Sequence, residues 1–542
     1  MMRKMQLLLI GLLFMHILAA QTAPADIPRP RLVVGLMVDQ MRWDFLYRYH
    51  ARYGENGFKR LLREGFSCEN AFIPYAQTVT AAGHASVYTG SVPAMNGIMG
   101  NEWFDRSKGR TVYCVEDPTV KTIGGSASSP PMSPRNMWSS TVSDELRLAT
   151  NFRSKVIGIA IKDRGGILPA GHSANAAYWY DPLSGNWVTS TYYMENLPAW
   201  AQQFNQRRIT DSLYKLGWKT LYPPDSYLQS DQDDVPYEGK FQTAQKPAFP
   251  YDFTSLIGKN YGQISVTPHG NTMTLEFAKA AVLAEQLGKD GVTDLLAVSL
   301  SSPDYIGHQF GPNSIEVEDS YLRLDRELAR FFEFLDRQVG KGQYLFFITA
   351  DHGVAHVPGF LQKNHIPAQI VPSLRPVLDQ RIEKKFGAPG ILQATDNYQL
   401  YLNRRVIDSA SLNFQVVKEG VIDILNQDSS ILMAFDNASI ALVNLPAEVR
   451  ERFMQGYNAK RAGDIQLILK PGYFYGNRTG TTHGSWHPYD AHIPLVWMGW
   501  GVRKGKSNRQ VYMSDIAPTI SAMLSIQEPN ASIGRVIEEV IK

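Results

Sequence analysis

Five runs along the chain are apolar at nearly every position and rich in β-branched residues. They are Arg31–Val38 (RLVVGLMV), Lys155–Ile161 (KVIGIAI), Asp294–Leu300 (DLLAVSL), Gln343–Thr349 (QYLFFIT) and His492–Gly499 (HIPLVWMG). Runs without polar alternation predict strands buried on both faces, as in parallel sheets covered by helices. Between the runs the period changes. Within Ser314–Gly340, the residues Leu324, Leu328, Phe331 and Leu335 share one helical face, and Gly340 can end the helix. Asn271–Gly288 predicts another helix, capped by Asn271 and closed by Gly288. Strand and helix alternate, which predicts a doubly wound α/β domain with a mostly parallel central sheet flanked by helices.

Two segments interrupt the rhythm. Residues 173–269 are aromatic and loop-rich, with a hairpin-like AYWYDPLSGNWV, and residues 365–476 carry strand and helix signals of their own. Both read as insertions that build a cap over the sheet, within one domain running over residues 31–542. Gly124–Ser140 is rich in proline and serine and reads as an exposed loop.

The first residues change the compartment. Arg3 and Lys4 precede an apolar stretch, Leu7–Leu18, and then the small pair Ala19–Ala20. That is the three-part pattern of a secretory signal over residues 1–20, leaving 21–30 as a short leader on a periplasmic or secreted chain. An uncleaved anchor is the alternative, but the apolar run is short for a membrane span. Hydrophobic residues make up 44% and charged residues 19%, as in ordinary globular proteins. The net charge of +3 falls to about +1 once Arg3 and Lys4 are removed, which offers no electrostatic case for binding nucleic acid. The two cysteines, Cys68 and Cys114, either pair in an oxidising compartment or remain as two buried thiols.

Chemistry gathers where the apolar runs end. The first ends in Asp39, the third leads into PDYIGH with Asp304 and His308, and the fourth ends in DHG with Asp351 and His352. Ligands of open α/β sheets sit beyond the carboxyl ends of the strands, so these groups are expected in one crevice. Asp304 and His308 lie one helical turn apart and can face one ion. The stretch GTTHGSWHPYDAHIP adds His483 from a glycine-flanked loop, with His487 and His492 as supporting groups. An aspartate after a strand is usually a turn or cap residue; three such ends in one chain outweigh that reading. Two ligand sets follow, Asp39, Asp351 and His352 in one, and Asp304, His308 and His483 in the other. Carboxylate and imidazole suit zinc, and a pair of ions can clamp both oxygens of an in-line phosphoryl displacement. The first set leaves room for an alkoxide from Thr80 in AQTVTAAGHASVYTG, so that a metal takes the place of a protein base.

Asp39, TVTAAGH, NGIMGN, IKDRG, PDYIGHQFGP, ADHG and THGSW together resemble the alkaline phosphatase superfamily. The chain is similar to its nucleotide pyrophosphatase/phosphodiesterase-related branch, and within that to the phosphate-irrepressible periplasmic alkaline phosphatases of flavobacteria. The resemblance spans about Arg31–Ile541. It implies that Thr80 is the nucleophile, placed ahead of the Thr89–Gly90 pair, and that Thr78 is not. It further implies phosphate contacts from Asn101, Lys162 and Arg164, and two zinc ions per chain held by Asp39, Asp351, His352 and Thr80 and by Asp304, His308 and His483. Asn96 stands where the family motif has histidine, outside the ligand sets. The helix opening at Thr80 is expected to offer the Ala81 N–H and its dipole to the phosphoryl group.

The implied activity is hydrolysis of small phosphate monoesters through a phosphothreonine, with broad substrate range, by a monomer without stable membrane association. A phosphodiesterase or nucleotide pyrophosphatase on the same scaffold is the rival. A diester carries one charge fewer and gains less from Lys162 and Arg164. A sulfatase lacks its Cys/Ser-x-Pro-x-Arg pattern here. An inactive metal-containing binding protein would not need the open coordination position. Sequons at Asn437, Asn477 and Asn530 carry no weight in a chain with a bacterial leader and family.

Overall fold

The computed structural model describes residues 27–476 and 478–542. The expected signal segment and the Asn477 sequon lie outside the described residues. The five apolar runs form neighbouring strands of one ten-stranded sheet: β1 (Leu32–Val38), β2 (Val156–Ala160), β3 (Asp294–Leu300), β4 (Tyr344–Thr349) and β5 (Leu495–Gly499). Their spatial order is β5-β4-β1-β3-β2, and β1 pairs in parallel with both β3 and β4, as β3 does with β2. Every residue of β1 to β4 is buried, as their unbroken apolar runs require.

Three expectations need correction. His492–Gly499 is not one parallel strand. Pro494 divides it: His492–Ile493 pairs with Ala71–Phe72 in a separate sheet, while β5 runs antiparallel to β4. Residues 350–494, which include the 365–476 unit, lie between β4 and β5, and β5 runs back beside β4 in the opposite direction. The hairpin Ala176–Asp181/Asn186–Ser190 does not belong to a cap; it extends the main sheet beside β2. The helix expected at Asn271–Gly288 spans His269–Ala284, begun by Pro268, with Asn271 buried inside it.

Residues within 365–476 do build a unit of their own. Its four-stranded antiparallel sheet, Leu392–Asp396, Gln399–Leu402, Ile465–Leu469 and Ile431–Asp436, carries the helices Arg375–Phe386 and Phe414–Asn426 over a separate apolar core. The proline-rich loop 124–140 is less exposed than its composition suggests, because Met132 and Met137 anchor it in the core. Cys68 and Cys114 are both buried and unpaired.

Four helices place the site: α1 (Thr80–Thr89), α2 (Asp163–Ala170), α3 (Ser302–Phe310) and α4 (Ile315–Leu335). All of α1 is buried, so it has no solvent-facing polar side, and small residues predominate at Ala81, Ala82, Gly83, Ala85 and Ser86. Gly35 in β1 makes room for it, since a Cβ there would come within 2.2 Å of the Tyr88 hydroxyl.

Candidate active site

Asp39 follows β1, Asp304 opens α3 after β3, and Asp351 and His352 follow β4. The parallel register therefore delivers all three strand ends to one crevice, and α1 brings Thr80 to it. His352 Nε2 lies 3.5 Å from Asp39 Oδ1 and 3.6 Å from Asp351 Oδ2. Around Asp304 Oδ1, His308 Nε2 stands at 3.2 Å and His483 Nε2 at 3.5 Å. The rings of His352 and His483 stack at 3.5 Å, so the two sets are contiguous. Both expected ligand sets are thus brought together, and His352 also stands close to Asp304 and His483.

The imidazoles are prepared as ligands. His352 Nδ1 donates to Gly353 O at 3.0 Å, His308 Nδ1 to Thr481 O at 2.8 Å and His483 Nδ1 to Thr78 O at 2.7 Å. A carbonyl can only accept, so in each neutral ring Nε2 keeps its lone pair and faces the crevice. Burial lowers His352 to about 3 and also lowers His483, which keeps both neutral at ordinary pH. Burial also lowers His308, but the Asp304 carboxylate outweighs it. Burial pushes Asp39 well up, reinforced by the carboxylates of Asp304 and Asp351. Asp39 Oδ1 and Asp351 Oδ2 are buried without any hydrogen-bond partner. Two orphaned carboxylate oxygens beside an imidazole lone pair are costly unless a proton or a cation joins them. Tetrahedral ligands on zinc stand about 3.3 Å apart, close to the spacings here. The residues present therefore fit divalent metal with oxygen and nitrogen ligands.

Lys162, at the end of β2, sends its ammonium between the sets. It donates to Asp39 Oδ2 at 2.7 Å and Asp304 Oδ2 at 2.5 Å, with Thr80 Oγ at 3.4 Å. Burial would lower its pKa, but these carboxylates hold it raised, so the charge persists. Thr80 Oγ lies 3.5 Å from His352 Nε2. Arg164 reaches Tyr113 Oη at 2.9 Å, and its Nε is buried without a partner. Lys162, Arg164, Trp179 and Tyr305 flank a cavity of about 340 Å³.

The Ala81 N–H is not available to a ligand as expected. It donates to Asn101 Oδ1 at 3.0 Å, so Asn101 caps α1 and its own amide nitrogen is left as the donor. Asn96 makes a local turn, accepting from Ile98 N at 2.9 Å, and takes no part in the site.

Three supporting residues escaped sequence reasoning. Gln40 has φ +65°, unusual for a side chain with a Cβ, and bridges both sets. Its backbone N–H donates to Asp351 Oδ1 at 3.1 Å and its amide to Asp304 Oδ1 at 2.8 Å. His84, one turn after Thr80, lies 3.3 Å from Asp351 Oδ2 and 2.8 Å from Ser299 Oγ. Thr78 donates its hydroxyl to Ser485 O at 2.7 Å and accepts from Gly484 N, so it holds the His483 loop. The only signal for His84 was its i+4 spacing from Thr80; Gln40 and Thr78 had none.

The sequence profile of the type I phosphodiesterase/nucleotide pyrophosphatase family matches residues 33–490. The chain belongs to this family. It is 51% identical over 519 residues to alkaline phosphatase PhoV of Synechococcus elongatus, covering 96% of this chain and 94% of that protein. It is 48% identical over 538 residues to alkaline phosphatase PafA of Elizabethkingia meningoseptica, with 98% of each covered. A Myroides odoratus protein named calcium-transporting ATPase is 52% identical over 530 residues, 96% of this chain and 97% of that one. Among the described residues, no helix is long and apolar enough to cross a membrane. The crystal structure of PafA superposes with a TM-score of 0.93 at 48% identity, covering 95% of this chain and all of that one. A solved variant of PafA replaces one threonine, one asparagine, one lysine and one arginine. Family membership brings this chain's fold and crevice into the company of phosphoryl-transfer enzymes.

Proposed function

We propose that this protein is an alkaline phosphatase that hydrolyses small phosphate monoesters through a phosphothreonine at Thr80. The observation that carries the reading is the convergence of both carboxylate–imidazole sets on Lys162 and Thr80, with two carboxylate oxygens left unpartnered. The relatives named alkaline phosphatase support it, as does the match between the residue types replaced in the PafA variant and Thr80, Asn101, Lys162 and Arg164. Zinc ions held by Asp39, Asp351, His352 and Thr80 and by Asp304, His308 and His483 would supply Lewis-acid stabilisation of the attacking and leaving oxygens.

The chain's own groups do the rest. Thr80 Oγ gives up its proton and forms a bond to phosphorus as the ester oxygen departs on the opposite side, takes up a proton and leaves as the alcohol. Water then attacks from the vacated side, the Thr80–phosphorus bond breaks and the hydroxyl recovers its proton. The Asn101 amide donates to a non-bridging oxygen. The Lys162 ammonium and the Arg164 guanidinium bring two positive charges toward a dianion, which a diester monoanion would use less. The enzyme acts outside the cytoplasm, after removal of residues 1–20, as a monomer.

The test is a rate comparison between an aryl phosphate monoester and the matched diester, with zinc present and after chelation. The monoester should be preferred, and chelation should abolish turnover until zinc is restored. Replacing Lys162 and Arg164 together by alanine should reduce monoester turnover more than diester turnover. Equal losses would remove the basis for the monoester assignment.

A further inference from the structure

His483 stands on a loop, and part of that loop's support comes from a residue outside both ligand sets. Residues 478–487 form neither helix nor strand, so the backbone that carries His483 has no ladder of its own. Its polar groups turn to side chains instead. Gly484 N donates to Thr78 Oγ at 3.2 Å, and Thr78 Oγ donates to Ser485 O at 2.7 Å. From the other side, Ser485 N at 2.9 Å and Ser485 Oγ at 2.7 Å both donate to Asp490 Oδ2.

Asp490 is 1% exposed and stands on a short helical turn, Pro488–Ala491. The chain runs from that turn into His492–Ile493, which pairs with Ala71–Phe72, so the turn has a firm base. Its main chain reaches the other ligand set. Immediately after His352, Gly353 N donates to Asp490 O at 2.7 Å and Val354 N to Tyr489 O at 2.9 Å. The approach is close, since a Cβ on Gly353 would stand 2.3 Å from Tyr489 O. Asp490 therefore holds the His352 segment by its backbone and the His483 loop by its side chain. The two imidazoles joined in this way are the pair stacked at 3.5 Å. Among the described residues, Asp490 Oδ1 has no hydrogen-bond partner, and a carboxylate buried in that state is costly. What the side chain supplies in return is one oxygen that accepts from both the N–H and the O–H of Ser485, fixing its backbone and its rotamer together.

We propose that Asp490 is a positioning residue that clamps the His483 loop to the segment carrying His352 and so sets the reach of His483 toward Asp304 and His308.

The consequence for metal rests on the reading of His483 as a zinc ligand. Wild type, Asp490→Ala and Asp490→Asn are loaded with zinc and stripped stepwise by a competing chelator, and the metal-free proteins are compared by hydrogen exchange. Alanine removes the side-chain arm of the clamp and keeps the backbone arm. Asp490→Ala should therefore lose about tenfold or more in affinity for one zinc ion while the other is held as in wild type. In the metal-free protein its Ser485 amide should exchange about tenfold faster. Asparagine keeps one acceptor oxygen and replaces only the oxygen without a partner, so Asp490→Asn should stay within about threefold of wild type in both measurements. A residue that only filled the core would lower the melting temperature without separating the two ions. Should Asp490→Ala fold poorly, Ser485→Ala removes the hydroxyl arm from the other side and should weaken the same single ion about threefold. Unchanged affinity in the alanine variant, equal loss of both ions, or no rescue by asparagine would overturn the proposal. Wild type that binds no zinc would overturn the ligand reading, and the exchange comparison would then decide the clamp by itself.

Discussion

Gly83 offers a direct test of how tightly the nucleophile is seated. It lies in α1 less than one turn beyond Thr80, and its α-carbon packs against the backbone that carries Asp351. A Cβ placed there would stand 2.5 Å from both Cβ and O of Asp351 and 2.7 Å from its Cα, whereas ordinary contact begins at 3.4 Å. Backbone and Cβ atoms cannot swing aside, so Gly83→Ala must separate α1 from Asp351 by roughly 1 Å, and a misplacement of that size costs on the order of a hundredfold in rate. Overpacking costs about 1–3 kcal/mol, while alanine favours the helix by about 1 kcal/mol. The net loss of stability is therefore only about 0–2 kcal/mol, and activity is the sensitive readout. The assay is kcat/KM on an aryl phosphate, with melting temperature and zinc content measured in parallel. Gly54→Ala is the control, because its Cβ would meet only Asp325 Oδ2 at 3.4 Å. Retention of more than half of kcat/KM by Gly83→Ala would refute the claim that contact with Asp351 positions Thr80.

Three further outcomes follow from the same geometry. Thr80→Ala should lose at least about a thousandfold in kcat, the scale of removing a nucleophile; Thr78→Ala should instead weaken zinc retention about tenfold through the loosened His483 loop, measured by competition with a chelator. Gln40→Ala keeps the backbone donor to Asp351 but removes the amide from Asp304, so zinc affinity should fall about 10–100-fold, and unchanged affinity would show that Gln40 only fills space. Without reductant, Cys68 and Cys114 should react with a thiol reagent only after denaturation and then give two thiols per chain; none would mean a disulfide.

The fold and the reacting groups were legible to different depths. β1 to β4 could be read from their apolar runs because burial on both faces leaves no polar position. The direction of β5 could not, since a buried strand has the same composition whichever way it runs. The hairpin at 176–190 was visible as a hairpin, but its place on the main sheet depends on pairing with β2, far away in sequence. At the site, Asp39, Asp304, His308, Asp351 and His352 announced themselves by following strands. Asn101 was identifiable only by resemblance, and its role as the cap of α1 emerged from the Ala81 contact.

By itself, the sequence determined which strands are buried, which side chains end them and therefore where ligands gather, because these follow from local composition and the carboxyl-end rule of α/β sheets. Only the tertiary structure decided how those side chains are held. It gave Lys162 to Asp39 and Asp304 together, tied the three imidazoles to backbone carbonyls and made Gln40 and Thr78 part of the support. Each of these contacts joins residues distant in the chain, and no local pattern encodes which distant groups packing will bring within hydrogen-bond reach.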